Sequence, residues 1–133
     1  MSGRRCSPRT ARGRPPALVY GFPGTVLISI SDIEREVRRH GFAVVRGLAG
    51  HGVGRSIHEP PEVPNCFDPR QQDVLTDGLV LTIEPMISAG SDRVVQDRDG
   101  WTIRTRDRSL SAHHEHTLVI TPGRPIVLTA YAA

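Results

Sequence analysis

Apolar and polar positions along the chain alternate over short stretches, and turn residues separate the stretches at close intervals. Tyr20-Gly21-Phe22-Pro23-Gly24 reads as a turn, and the β-branched run 25–30 predicts a first strand after it. Ser31-Asp32-Ile33-Glu34 then has the form of a capping box. Ile33 and Val37 share one face, charged residues cover the others, and Gly41 ends the pattern, which predicts a short amphipathic helix over 32–40. Residues 42–45 read as a strand that leads into a glycine-rich stretch around His51. Pro60, Pro61, Pro64, Asn65 and Pro69 predict a long loop over 59–78. Strands follow at 79–86 and 111–121, with a hairpin between them that turns at Asp99-Gly100 and a last strand at 125–129. There is no internal repeat. The expected architecture is an α+β domain, mainly antiparallel sheet with one or two helices.

Composition narrows this reading without redirecting it. A chain of 133 residues with 38% apolar content, 5% aromatics, 13 Gly and 11 Pro suits one loop-rich domain, and a helical bundle or coiled coil is excluded. The net charge of +3 is concentrated at one end, in Arg4, Arg5, Arg9, Arg12 and Arg14. Residues 1–17 have no hydrophobic periodicity and are read as a disordered Arg/Pro-rich lead, with the folded domain over 18–133. That domain is slightly acidic, which disfavours nucleic acid as a partner. Cys6 and Cys66 are far apart with no CxxC spacing, so free thiols in a reducing cytosol are expected. No apolar run approaches membrane-spanning length and no export signal is apparent, so the expected location is the cytoplasm, with no membrane partner.

Two glutamates sit where glutamates are costly. Glu84 lies inside Leu79-Val80-Leu81-Thr82-Ile83-Glu84-Pro85-Met86, and Glu115 opens onto His116-Thr117-Leu118-Val119-Ile120. A buried carboxylate needs a hydrogen-bonded partner or a metal ion. With His51, whose neighbours Gly50, Gly52 and Gly54 permit close backbone approach to a substrate or an adjacent strand, they compose a partial metal site. His113, His114 and His116 cluster nearby; strand alternation puts His114 and His116 on one face, with His113 and Glu115 on the other. These three histidines are expected to support the ligands from behind or to face solvent. Cys66, in a proline-rich loop with no adjacent base, carries no nucleophile signal.

The blocks GHGVGRSIHEPP, VLTIEPMI and DGWTIRTRDRSLSAHHEHTLVIT, in that order and at these separations, resemble the C-terminal half of type I methionine aminopeptidases, of the pita-bread metallopeptidase family. The match covers about residues 32–129, and YGFPGTVLISIS is similar to the family's strand lining the methionine pocket. The resemblance implies a partial pita-bread fold and removal of an initiator methionine from nascent proteins. It implies His51, Glu84 and Glu115 as metal ligands, with Glu115 bridging two ions. Glu84 and His58 become catalytic residues, His58 also contacts substrate, and Trp101, Tyr20 and Phe22 line the methionine pocket. The implied cofactor is Mn, Fe, Co or Zn, two ions per site in the family; the implied partners are N-terminal methionyl peptides and the ribosome.

The resemblance also implies two aspartates and a histidine between the pocket strand and the helix, and here Ser31 runs straight into Asp32-Ile33-Glu34. A deletion junction near 31–32 is therefore expected. What remains is an O,O,N set suited to one divalent ion, which leaves open a truncated, inactive relative or a non-catalytic peptide-binding module of the same fold. A third reading assigns ribosome or nucleic-acid binding to the Arg-rich lead.

Overall fold

The computed structural model describes residues 30–68, 71 and 73–130. The Arg-rich lead, the turn at 20–24 and nearly all of the strand expected at 25–30 lie outside the described residues, as do Tyr20 and Phe22. One helix, α1 (Ile30–Arg39), precedes ten strands: β1 (Ala43–Val44), β2 (Ala49–Gly52), β3 (Glu59–Pro64), β4 (Val80–Ile83), β5 (Met86–Ser88), β6 (Val94–Gln96), β7 (Ile103–Thr105), β8 (Ser111–His113), β9 (His116–Val119) and β10 (Ile126–Val127). The strands form a five-stranded sheet ordered β10-β9-β4-β2-β3, a three-stranded sheet β1-β5-β8 and the β6-β7 hairpin. Every pairing is antiparallel.

The helix includes Ser31, so the expected capping box is not how it begins. Glu34 is buried and turns its carboxylate to the Arg38 guanidinium at 2.6 Å and the Phe67 backbone N–H at 3.0 Å. The pair therefore ties the helix to the chain beyond β3 instead of closing its own first turn. On the outer face, Arg35 pairs with Asp32 and Arg39 with Glu36. The inner face contributes Ile30 to a core with Val63, Leu81 and Leu118, against which Ile33, Ile83 and Ile120 pack.

Two expectations are corrected here. The proline-rich stretch expected to be loop begins as a strand: β3 pairs with β2 from Ala49↔Pro64 to Gly52↔Glu59. It is tolerated because β3 is an outermost strand, where the N–H that a proline lacks is not needed by a further neighbour. The runs 79–86 and 111–121, each expected as one strand, are each broken in the middle. β4 pairs with β9 up to Ile83↔His116, and β5 with β8 from Met86↔His113. The two breaks face each other, and the His114 N–H reaches the Pro85 carbonyl across them at 3.3 Å.

The turn at Asp99-Gly100 is formed as expected, with Gly100 at φ 78° and the Asp99 carboxylate taking N–H bonds from Trp101 and Thr102. The glycines beside His51 serve strand packing: a Cβ at Gly50 would run into the Thr82 carbonyl oxygen, and one at Gly52 into that of Pro60. Large apolar side chains at Ile126, Leu128 and Trp101 are exposed.

Gly50→Ala is expected to destabilise the fold by about 1–3 kcal/mol, because the clash is with backbone and cannot be relieved by a side-chain rotation. Urea unfolding checks it, with Gly123→Ala, whose added carbon would meet only the Thr121 hydroxyl at 3.9 Å, expected to be near neutral.

Two turn carboxylates contribute to the acid limb of stability. The Thr102 hydroxyl and then the Thr102 and Trp101 N–H groups hold Asp99 below its usual value, and the Ser109 hydroxyl, helped by the Ser109 and Ser91 N–H groups, does the same for Asp107. Their contribution is present above the unfolded carboxyl value near 4 and is lost as pH falls through the depressed folded values. In Asp107→Asn the melting temperature should decline less steeply below pH 4 than in the parent chain.

Candidate metal centre

The site is built where β4 and β9 end together. Glu84 follows the last paired residue of β4, Glu115 precedes the first of β9, and the shared break holds both carboxylates on one side of the sheet junction. Glu84 is 7% exposed, whereas Glu115 and His113 open to solvent. One ligand atom from each of Glu84, His113 and Glu115 falls within 4.8 Å of the others, a distance set that a single cation can span.

His51 approaches the same carboxylate from β2. Its Nε2 lies 3.4 Å from Glu84 Oε1, and His113 Nε2 lies 3.5 Å from Glu84 Oε2. Glu84 is therefore flanked by two imidazoles. His51 Nδ1 sits 3.0 Å from the Gly52 carbonyl oxygen, which can only accept, so in the neutral ring the proton is on Nδ1 and the Nε2 lone pair is turned toward the carboxylate. A lone pair facing a buried carboxylate is unfavourable until a cation or proton lies between them. The donor chemistry and this confrontation both fit a divalent ion.

Thr82, 2% exposed, fixes the arrangement. Its hydroxyl accepts the His51 backbone N–H at 3.0 Å and donates to Glu84 Oε1 at 2.9 Å. β2 and β4 share a single bridge, Gly52↔Leu81, so at the next position this hydroxyl takes the place of a ladder carbonyl. The His51 backbone and the Glu84 carboxylate are thereby joined through one oxygen.

The remaining candidates are distributed unevenly. The turn after β2, closed by Ser56 N–H to Glu59 Oε1 at 2.7 Å, folds His58 back so that its ring centroid lies 4.2 Å from that of His51. Trp101 stands on the β6–β7 hairpin, 88% exposed, with no enclosing wall among the described residues. His113 was expected only to back the ligands or face solvent, and the structure brings it into their group. The signal was already in the alternation that set it on Glu115's face. His51, by contrast, adjoins Glu84 without joining the group that contains Glu115. Asp32, the carboxylate nearest the expected junction, is on α1 in an ion pair with Arg35 at 2.5 Å.

The pattern of Metallopeptidase family M24 matches residues 18–122. The methionine aminopeptidase of Clostridium perfringens is 50% identical over 99 residues, 74% of this chain and 40% of that protein. That of Escherichia coli K12 is 46% identical over 109 residues, 80% of this chain and 41% of that protein. Among solved structures, the methionine aminopeptidase of Thermotoga maritima superposes with a TM-score of 0.71 at 44% identity, covering 86% of this chain and 47% of that one. The Rickettsia prowazekii enzyme also gives 0.71, at 37% identity over 76% of this chain and 41% of that one. The chain spans about two-fifths of the length of the curated relatives it matches.

Removal of the Thr82 hydroxyl strands the His51 N–H and deprives a buried carboxylate of one donor. Thr82→Val is expected to cost about 1–3 kcal/mol in urea unfolding, and Thr82→Ser to recover most of the loss.

Proposed function

Because the chain belongs to Metallopeptidase family M24, with the mostly antiparallel pita-bread fold of its methionine aminopeptidase neighbours, we propose that it is a metal-dependent aminopeptidase acting on N-terminal methionyl peptides. The observation that carries the proposal is the convergence of Glu84, His113 and Glu115, with His51 against Glu84. These residues would hold a divalent ion, and two oxygens with one or two imidazoles suit Mn, Fe, Co or Zn better than copper. When bound, such an ion supplies Lewis acidity toward a peptide carbonyl and makes water acidic enough to ionise near neutral pH.

The chain's own residues do the rest. Hydrolysis adds hydroxyl to the carbonyl carbon, breaks the C–N bond and leaves a proton on the departing amine. The Glu84 carboxylate takes the proton from water and passes it on. His58, beside His51 and exposed, contacts the substrate amide. Trp101, Tyr20 and Phe22 are assigned to the methionine side chain. Methionyl peptides emerging from the ribosome and a cytoplasmic setting belong to the same proposal. No helix among the described residues is long and apolar enough to cross a membrane.

A second reading rests on the ligand count. Among the described residues no aspartate joins the group, which supports one ion where the family's two-ion arrangement needs further carboxylates. On that reading, residues absent between 31 and 32 leave a module that binds methionyl peptides without cleaving them.

Hydrolysis of a Met-Ala-Ser peptide with Mn(II) or Co(II) decides between them. Turnover is expected, falling at least about 100-fold in Glu84→Gln. Peptide binding in titration calorimetry with no turnover above that variant would favour the binding module, and neither would reject both.

A further inference from the structure

His114 and His116 stand outside the group just described, and neither has a role in the proposed hydrolysis. Their Nε2 atoms are 3.2 Å apart, with ring centroids at 4.7 Å and planes perpendicular. A head-on N–H···N bond of that length would hold the ring centres about 5.5 Å apart. The shorter spacing means the rings are bent away from that head-on line. Two imidazole nitrogens each about 2.0–2.1 Å from one ion, at a bond angle of about 100°, also stand about 3.2 Å apart.

The second ring nitrogen of His116 is held. Its Nδ1 is 3.0 Å from Thr129 Oγ1, and that oxygen also accepts the Thr117 backbone N–H at 3.0 Å. Thr129 is itself positioned where the β9–β10 pairing continues, through Leu128 N–H to the Thr117 carbonyl at 2.8 Å. An Nδ1–H donated to Thr129 leaves the Nε2 lone pair free to coordinate, the arrangement in which ligating histidines are oriented by a partner behind the ring. His114 is exposed, so the remaining coordination positions would open to water.

We propose that His114 and His116 form a second, open metal site that takes a borderline divalent ion of the imidazole-preferring class, Cu(II), Ni(II) or Zn(II), separate from the carboxylate-rich group at Glu84. The proposal is independent of whether the chain hydrolyses peptides.

The test is Cu(II) binding to the full chain carrying Glu84→Gln, which weakens the other group, followed by calorimetry and by electron paramagnetic resonance. One Cu(II) with two imidazole nitrogens is expected. His114→Ala should leave one nitrogen and lower affinity at least 10-fold, Thr129→Val should lower it about 10-fold through the freed ring, and His40→Ala, at the exposed end of α1 beside Glu36, should change nothing. His114→Gln serves as the second variant if His114→Ala melts abnormally. Undiminished binding in the His114 variants, loss that follows His40→Ala, or no bound Cu(II) would each overturn the proposal.

Discussion

The structure depends on a break that two strands share. Val80–Ile83 and His116–Val119 run as one antiparallel ladder, Met86–Ser88 and Ser111–His113 as another, and the same two chain segments supply both. Pro85 has no N–H to give to a ladder, so pairing cannot pass through it without a fault. The His114 N–H bonded to the Pro85 carbonyl is the stitch across that fault. Four rungs on one side and three on the other fix the register, and the register sets Glu84 against Glu115. Neither carboxylate is placed by a flexible loop. A one-residue slip would turn one of them to the opposite face, and the hydrophobic core prevents that slip because Leu81 or Leu118, on the same strand, would be turned out with it.

The same fault explains the polar chemistry around it. A buried carboxylate is costly, and the chain answers with one hydroxyl donor from Thr82 two positions earlier on its own strand. That donor is also the acceptor for His51, so the third strand, Ala49–Gly52, is bound to the junction through a side chain. It can come that close because Gly50 has no Cβ to meet the Thr82 carbonyl. Glycine spacing, a buried threonine and a buried glutamate are thus one arrangement seen from three positions.

Much of this was legible in the sequence, and the misses have physical causes. The apolar runs, the Asp99-Gly100 turn and the placement of His113 and Glu115 on one face all follow from local periodicity. The breaks within 79–86 and 111–121 do not, because each run is continuous by composition and is interrupted only by how it pairs. The strand Glu59–Pro64 was read as loop because three prolines outweigh any local strand signal; only its edge position makes it possible. Ser31 and Glu34 satisfied a local capping pattern, but Glu34 found Arg38 and Phe67 instead, a tertiary contact no window of sequence contains. His51, Glu84 and His58 came from motif spacing and lie together. Trp101 came from the same source and stands apart on its hairpin.

The ligand group is asymmetric, and the asymmetry has a consequence. Glu84 is enclosed, with one hydroxyl donor and two imidazole nitrogens near it, whereas Glu115 and His113 are solvated from outside. Water can satisfy the exposed pair as well as an ion can. It cannot reach Glu84 as freely, so the buried carboxylate is where a cation relieves the greater cost, and His51, with its Nε2 turned inward, gains most from the same ion. Glu115 and His113 would be the solvent-facing half of the set that held such an ion. That division, a buried inner side and a solvated outer side, leaves the group open to solvent at Glu115 and His113.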